Sequence, residues 1–272
     1  MFKFYFYFFI LVSLIYSEAS IEKIYALQYG RSTYPSELLN VNDDVKTKNI
    51  LWVFYYIETQ NKKILVDSGF VEPRFVKSFQ IQNYHSPADL LKSIDIEPGD
   101  ITDIILTHSH FDHIGGLHLF PNAKLFINTK ELDFLFSTEV NRDFEKVLNI
   151  RDLRNSIVRV GPNHYFSDQI NIFFSGGHTI GSQYVHIKFD AKEFVITGDE
   201  CYFSRECLQG IGLTSKAAYS TDNNKVFLQT LNKHYVKNPK LEVLTLHDTN
   251  LILKYKTIKK GIIEIYSREK KK

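Results

Sequence analysis

Thr107-His108-Ser109-His110-Phe111-Asp112-His113-Ile114-Gly115-Gly116 places three histidines and one aspartate within six positions. Imidazole and carboxylate groups suit zinc, iron, manganese or cobalt. The whole chain has only 10 His in 272 residues, so chance is a poor explanation for the cluster. The H-x-H-x-D-H spacing is too tight for a helix face, where side chains recur every three or four residues. It predicts a loop that curls round a metal and offers ligands from alternate positions.

Rigid elements must deliver such a loop. The largely apolar run Ile101–Leu106 precedes it and reads as a strand. Three later strands end the same way. Ile170–Phe174 leads to His178, Glu193–Thr197 leads to Asp199, and Leu241–Leu246 leads to His247. Ligands at strand ends converge at one edge of a sheet, on a scaffold stiff enough to fix them. The candidates are then His108, His110, Asp112, His113, His178, Asp199 and His247. That is too many for one tetrahedral ion, and it fits two ions sharing a carboxylate.

Other elements are legible too. Strands are expected over 21–28 and 50–58, followed after a short turn by Lys63–Val66. Asp67-Ser68-Gly69 closes that strand with a carboxylate. Residues 30–48 read as a long polar loop. Ser86 and Pro87 start a helix over 86–95, and Thr129 caps another. Residues 137–162 are charged and loosely periodic, and are expected to form a lid helix.

Phe4–Tyr16 is apolar after the basic start Met1-Phe2-Lys3, and small residues flank Glu18. This predicts a signal peptide over 1–19 and an exported chain. The run is short for a membrane span, so no stable membrane association is expected after cleavage. The formal net charge of +2 argues against nucleic acid as a partner. The basic runs at 254–260 and 268–272 read as solvated. Cys201 and Cys207 make no disulfide framework, and sequence does not decide whether they pair. Cys201 is expected to be a buried bystander rather than a ligand.

H-x-H-x-D-H, then G-H-T-x-G-S-Q, then G-D and a late His after a strand together resemble the metallo-β-lactamase superfamily. The resemblance covers nearly the whole chain after the signal. It implies an αββα sandwich in one domain, residues 20–272. It also implies that His108, His110 and His178 hold one divalent metal ion and Asp112, His113 and His247 a second. Asp199 would bridge them, with zinc the foremost ion and iron, manganese or cobalt as alternatives. Class B1 β-lactamases match poorly, since they lack the His after the motif's Asp and carry Cys at the Asp199 position.

Within the superfamily the chain is most similar to N-acyl homoserine lactone lactonases. Tyr29-Gly30-Arg31, the His-x-His-Phe-Asp-His-x-Gly-Gly motif, Tyr202 and His247-Asp248 carry that likeness. Gly177 and Ser182 depart from it, where Pro and His are frequent. The likeness implies a small-molecule lactone substrate, opened by a metal-bridging hydroxide (quorum quenching), and a monomer or homodimer. Tyr202 would contact the substrate carbonyl, and Asp112 would carry a proton to the leaving alkoxide. Asp67 would orient a ligand. The rival activities are a glyoxalase-II-type thioesterase and a phosphodiesterase. A non-catalytic binding protein is the rival of another class. His85, His118, His164, His186 and His234 are expected to be structural or surface residues.

Overall fold

The computed structural model describes residues 20–39, 45–137, 156–190 and 192–268. The expected signal peptide and most of the expected lid lie outside these residues. Among the described residues no helix is long and apolar enough to cross a membrane.

The first half of the chain runs β1 (Ile21–Pro35), β2 (Thr47–Thr59), β3 (Lys63–Val66), α1 (Pro73–Ser78), α2 (Pro87–Lys92), β4 (Asp103–Ile105), α3 (Phe111–Ile114), β5 (Lys124–Asn128) and α4 (Thr129–Ser137). Then come β6 (Ile157–Val160), β7 (Asn163–Tyr165), β8 (Ile170–Phe174), β9 (Gln183–Phe189) and β10 (Lys192–Ile196). The last part holds α5 (Ser204–Leu208), α6 (Thr221–Lys237), β11 (Leu241–Leu244), α7 (Leu251–Lys254), β12 (Lys256–Lys259) and β13 (Ile262–Ser267). One sheet has the order β12-β13-β1-β2-β3-β4-β5-β6, and the other β11-β10-β9-β8-β7.

The strand β2 shows why two sheets stack. Its Leu51, Val53, Tyr55 and Ile57 point into a core shared with Ile170 and Ile172 of β8, Val185 and Ile187 of β9, and Phe194 and Ile196 of β10. The alternate residues Ile50, Trp52, Phe54 and Tyr56 face the other way, into a core with Leu90 and Leu91 of α2 and Leu132 and Leu135 of α4. A strand covered on both faces needs no polar face, which is why Ile50–Ile57 is apolar throughout. On the far side of the second sheet, Phe227, Leu228 and Leu231 of α6 cover Val195, Leu241 and Val243. Each buried Leu, Ile or Val contributes about 1.5–3 kcal/mol. The result is the expected αββα sandwich.

Several local expectations are corrected. The polar loop expected over 30–48 is strand at both its ends, because Gly30 to Pro35 pair antiparallel with Trp52 to Thr47. The region read as a lid ends in β6, which pairs in parallel with β5. The basic run at 254–260 is solvated as expected, its lysines exposed on and beside the edge strand β12, and β13 beyond it pairs with β1. Thr129 does not cap α4; its hydroxyl donates to the Val160 carbonyl, and Asn128 Oδ1 accepts from Lys130 N instead.

Candidate metal centre

The motif leaves the end of β4 and turns under the sheet. It is not all loop: Phe111–Ile114 forms one helical turn with His110 at its N-cap. That turn presents Asp112 and His113 to one side, while His108 and His110 stay on extended backbone. His118 is exposed and lies outside the clusters.

The seven predicted ligands come together as two groups, His108–His110–His178 and Asp112–His113–Asp199–His247. In the first group, His110 Nδ1 lies 3.0 Å from His108 Nε2 and 2.9 Å from His178 Nε2. In the second, His113 Nε2 is 3.3 Å from Asp112 Oδ2 and 3.4 Å from Asp199 Oδ1. His247 Nε2 is 3.4 Å from that same Asp199 oxygen. The other oxygen, Asp199 Oδ2, turns to the first group and lies 3.7 Å from His178 Nε2. One carboxylate therefore spans both clusters.

These residues fit a pair of divalent cations. Metal bonds of 2.0–2.1 Å in a tetrahedron set ligand atoms about 3.3 Å apart, close to the spacings here. His113 Nε2 and Asp199 Oδ1 are buried with no hydrogen-bond partner, which is costly unless a cation lies between them.

Both imidazoles of the second group are aimed by their other nitrogen. His247 Nδ1 donates to the Leu51 carbonyl at 2.8 Å. His113 Nδ1 donates to Asp67 Oδ2 at 2.8 Å. Asp67 also accepts from Thr107 N at 2.7 Å and Thr107 Oγ1 at 2.8 Å. It is fully buried and belongs to neither cluster, so it sits where it orients His113. Asp67→Asn keeps the shape but puts an amide against one of its three donors. The variant should lose metal affinity by about 10–100-fold. A chelator competition titration measures it, and an unchanged affinity would remove Asp67 from the site.

Charge balance within the second group is strong. Burial would raise Asp199, but His113 and His247 hold its carboxyl well below the usual range. Burial would lower His113, yet Asp112, Asp199 and Asp67 hold it well above its ordinary value. His108 is pushed well down by burial and by the neighbouring His113, His110 and His178. It is therefore a neutral imidazole, the form that can ligate a metal.

Two carboxylates not predicted from sequence hold the frame. Glu131, on the first turn of α4, accepts from Ser109 N at 2.8 Å and Ser109 Oγ at 2.6 Å. Its other oxygen accepts from Thr179 Oγ1 at 2.8 Å and Gly181 N at 2.9 Å. Glu200 Oε1 accepts from Gly177 N at 2.9 Å, His178 N at 3.0 Å and Ser182 Oγ at 2.6 Å. These bonds explain the two departures noted in the sequence. A Cβ at residue 177 would lie 2.2 Å from Glu200 Oε2 and 2.8 Å from the Asn224 backbone, so only glycine fits. Ser182 is the small donor that Glu200 takes.

A cavity of about 500 Å³ opens above both clusters. Its wall includes Tyr34, Ile50, Trp52, Phe111, Ala218 and Tyr202. The Tyr202 ring centroid is 5.5 Å from His247 and 6.1 Å from His178. Burial and the nearby Asp199 push its phenol well above the ordinary value, so it is a hydrogen-bond donor at neutral pH. Cys201, read as a bystander, is joined to Cys207 by a disulfide that closes the loop carrying Tyr202.

The family model for the metallo-beta-lactamase superfamily matches residues 53–206. The chain belongs to the metallo-β-lactamase superfamily. The N-acyl homoserine lactonase of Bacillus thuringiensis is 24% identical over 207 residues, covering 69% of this chain and 78% of that protein. A solved quorum-quenching N-acyl homoserine lactone lactonase superposes with a TM-score of 0.73 at 20% identity, covering 89% of this chain and 98% of that one. AidC, a dizinc quorum-quenching lactonase solved with N-hexanoyl-L-homoserine as product, has a TM-score of 0.67 at 16% identity and covers 93% and 99%. Those solved structures carry the metallo-β-lactamase fold found here.

Proposed function

We propose that this chain is a two-metal hydrolase that opens the ring of N-acyl homoserine lactones or similar lactones. The observation that carries the reading is Tyr202. It stands in the cavity wall beside histidines of both clusters, where a donor can reach a carbonyl held over Asp199. The names of the relatives favour the same substrate class.

His108, His110 and His178 would hold one cation, and Asp112, His113 and His247 the other, with Asp199 between them. When bound, such a pair activates water near neutral pH and polarises an ester carbonyl. The apolar part of the cavity, with Ile50, Trp52 and Phe111, shelters an acyl chain. The Tyr202 O–H donates to the carbonyl oxygen as negative charge grows there. Burial would raise Asp112, but His113 and His247 keep its carboxyl below the ordinary range, so it is ionised and able to accept a proton. A proton leaving the attacking water passes through Asp112 to the ring oxygen as the carbonyl carbon–ring oxygen bond breaks. The products are one hydroxyl and one carboxylate, and no covalent enzyme intermediate is needed.

A hydrolysis panel on zinc-loaded protein tests this reading: acyl-homoserine lactones of several lengths, a simple lactone, S-lactoylglutathione and a phosphodiester. Lactone turnover that a chelator abolishes and zinc restores is expected. Cleavage of thioester or phosphodiester without lactone cleavage would overturn it. Tyr202→Phe should lower lactone kcat by about 10–100-fold, below the full loss of an oxyanion donor, and leave metal content unchanged.

A further inference from the structure

A second group of ligand-type residues lies on the outer face of the five-stranded sheet. His186 on β9 sits opposite Val195 of β10 in the antiparallel ladder. Glu193 is two residues back along β10, so it shares the outer face with His186. Val185, Ile187, Phe194 and Ile196 take the inner face, in the core between the sheets. The helix α6 covers the outer face and brings His234 down onto it. His186 Nε2 lies 2.6 Å, and His234 Nε2 2.9 Å, from one and the same oxygen, Glu193 Oε1. The other oxygen of Glu193 accepts from Asn238 Nδ2, just past the end of α6. The three ligand atoms lie within 4.8 Å of one another.

We propose that His186, Glu193 and His234 form a third metal site, separate from the two-cation centre, which takes a divalent transition ion such as zinc, nickel or copper. Two imidazole nitrogens and one carboxylate oxygen are the protein ligands of an open zinc site. Nitrogen donors favour these ions over magnesium and calcium, which prefer all-oxygen shells. A cleft of about 240 Å³, lined by Phe173, Tyr184, Phe227 and both histidines, borders the cluster and leaves room for water on the ion.

The change needed is small. A tetrahedral ion sets its ligand atoms about 3.3 Å apart, so the two nitrogen–oxygen distances widen by about half an ångström. Each imidazole shifts its hydrogen from Nε2 to Nδ1, which frees Nε2 to ligate. The Glu193 side chain is 6% exposed and held by Asn238, so it is a fixed anchor. The His234 side chain is 40% exposed, so an ion reaches the site from solvent.

An ion here would tie α6 to β9 and β10. The first turn of α6 carries Asn224, whose Nδ2 donates to Glu200 Oε2 at 2.8 Å. Glu200 in turn holds the His178 backbone. Neither His186 nor His234 touches the cavity above the two-cation centre.

The rival is a plain hydrogen-bonded triad in which Glu193 simply accepts from both histidines. Titrating untagged metal-free protein with Zn²⁺, with bound metal counted after removal of free ion, separates the two. The wild type should bind three equivalents. His234→Gln should bind two, as should Glu193→Gln, with the hydrolytic rate of the zinc-loaded protein unchanged. His186→Asn serves as a further variant should either of those unfold. Two equivalents in the wild type would overturn the site, as would a third equivalent retained in all folded variants. Because the readout is metal stoichiometry, it stands or falls independently of which ester the central site cleaves.

Discussion

Asp199→Asn should abolish the two-metal centre while leaving the fold in place. The variant is expected to retain at most one cation per chain at the centre and to lose on the order of 10³-fold or more in kcat, beyond the ~10–100-fold typical of residues that only orient a ligand. The reason is the division of labour between its two oxygens. Oδ1 faces His113 and His247, both at 3.4 Å, and Oδ2 faces His178 at 3.7 Å. An asparagine has one ligating oxygen. Its NH₂ must face one of the two clusters, where it repels a cation instead of binding it. The amide also removes a negative charge that holds His113 and His247 in their arrangement. Metal analysis together with lactone turnover measures the effect. A variant that keeps two cations and wild-type rate would show that Asp199 does not bridge.

The residues that come together in the two clusters were legible because chemistry concentrates them. Four of seven lie within six residues, and the others follow strands whose apolar composition is plain. The double-sided burial of β2 was legible for the same reason, since a strand covered on both faces has no polar alternation to hide it. What was not legible depends on approach in three dimensions. Glu131 reads as an ordinary acidic residue in a helical first turn, and only the fold brings it to Ser109 and Gly181. Glu200 follows Asp199 directly, which was the one available hint, yet its four donors come from two distant segments, the β8–β9 loop and α6. The β1–β2 ribbon beyond residue 30 was missed because pairing with a well-defined neighbour overrides a polar local composition. The helix α6 has a long polar face, and its buried stripe of Phe227, Leu228 and Leu231 is short, so its periodicity is weak.

The disulfide belongs to the same class of hidden feature. Cys201 follows Asp199 by two residues, which made metal binding the functional alternative to a bystander thiol. The structure instead closes a seven-residue loop, Cys201–Cys207, round Tyr202. Ser204 at the start of α5 is fixed in turn, since its N and Oγ both donate to Asp248 Oδ2, at 2.9 and 2.6 Å. Asp248 directly follows the candidate ligand His247. Tyr202 of the cavity wall and the candidate ligand His247 are thus held by one local network.

Glu131→Ala should be the most destabilising single change near the centre, and its effect should be uneven across the two metals. Glu131 is 1% exposed and accepts four hydrogen bonds, two from the segment carrying His108 and His110 and two from the segment carrying His178. Alanine leaves two buried backbone N–H groups without partners. Each such loss costs about 1–3 kcal/mol, so the total is expected near 3–5 kcal/mol once the hydroxyls are included. That is a large share of the ~5–15 kcal/mol that stabilises an ordinary domain. Repacking cannot easily repair it. A Cβ at Gly181 would lie 2.2 Å from the Glu131 backbone nitrogen, so the two chains already touch and no larger residue at 181 can fill the space. Glutamine should rescue only in part, because its NH₂ must face a donor on one side or the other. The residues that Glu131 anchors are the immediate neighbours of the first cluster, Ser109 between His108 and His110 and Thr179 directly after His178, whereas Asp112 and His113 lie on the helical turn beyond. Zinc should therefore leave the His108–His110–His178 group at a lower chelator concentration, while the Asp112–His113–His247 group keeps its ion. Denaturant unfolding of the metal-free protein gives the first number, and a cobalt-substituted titration gives the second. Wild-type stability with both ions lost together would mean that the clamp does not act as the geometry indicates.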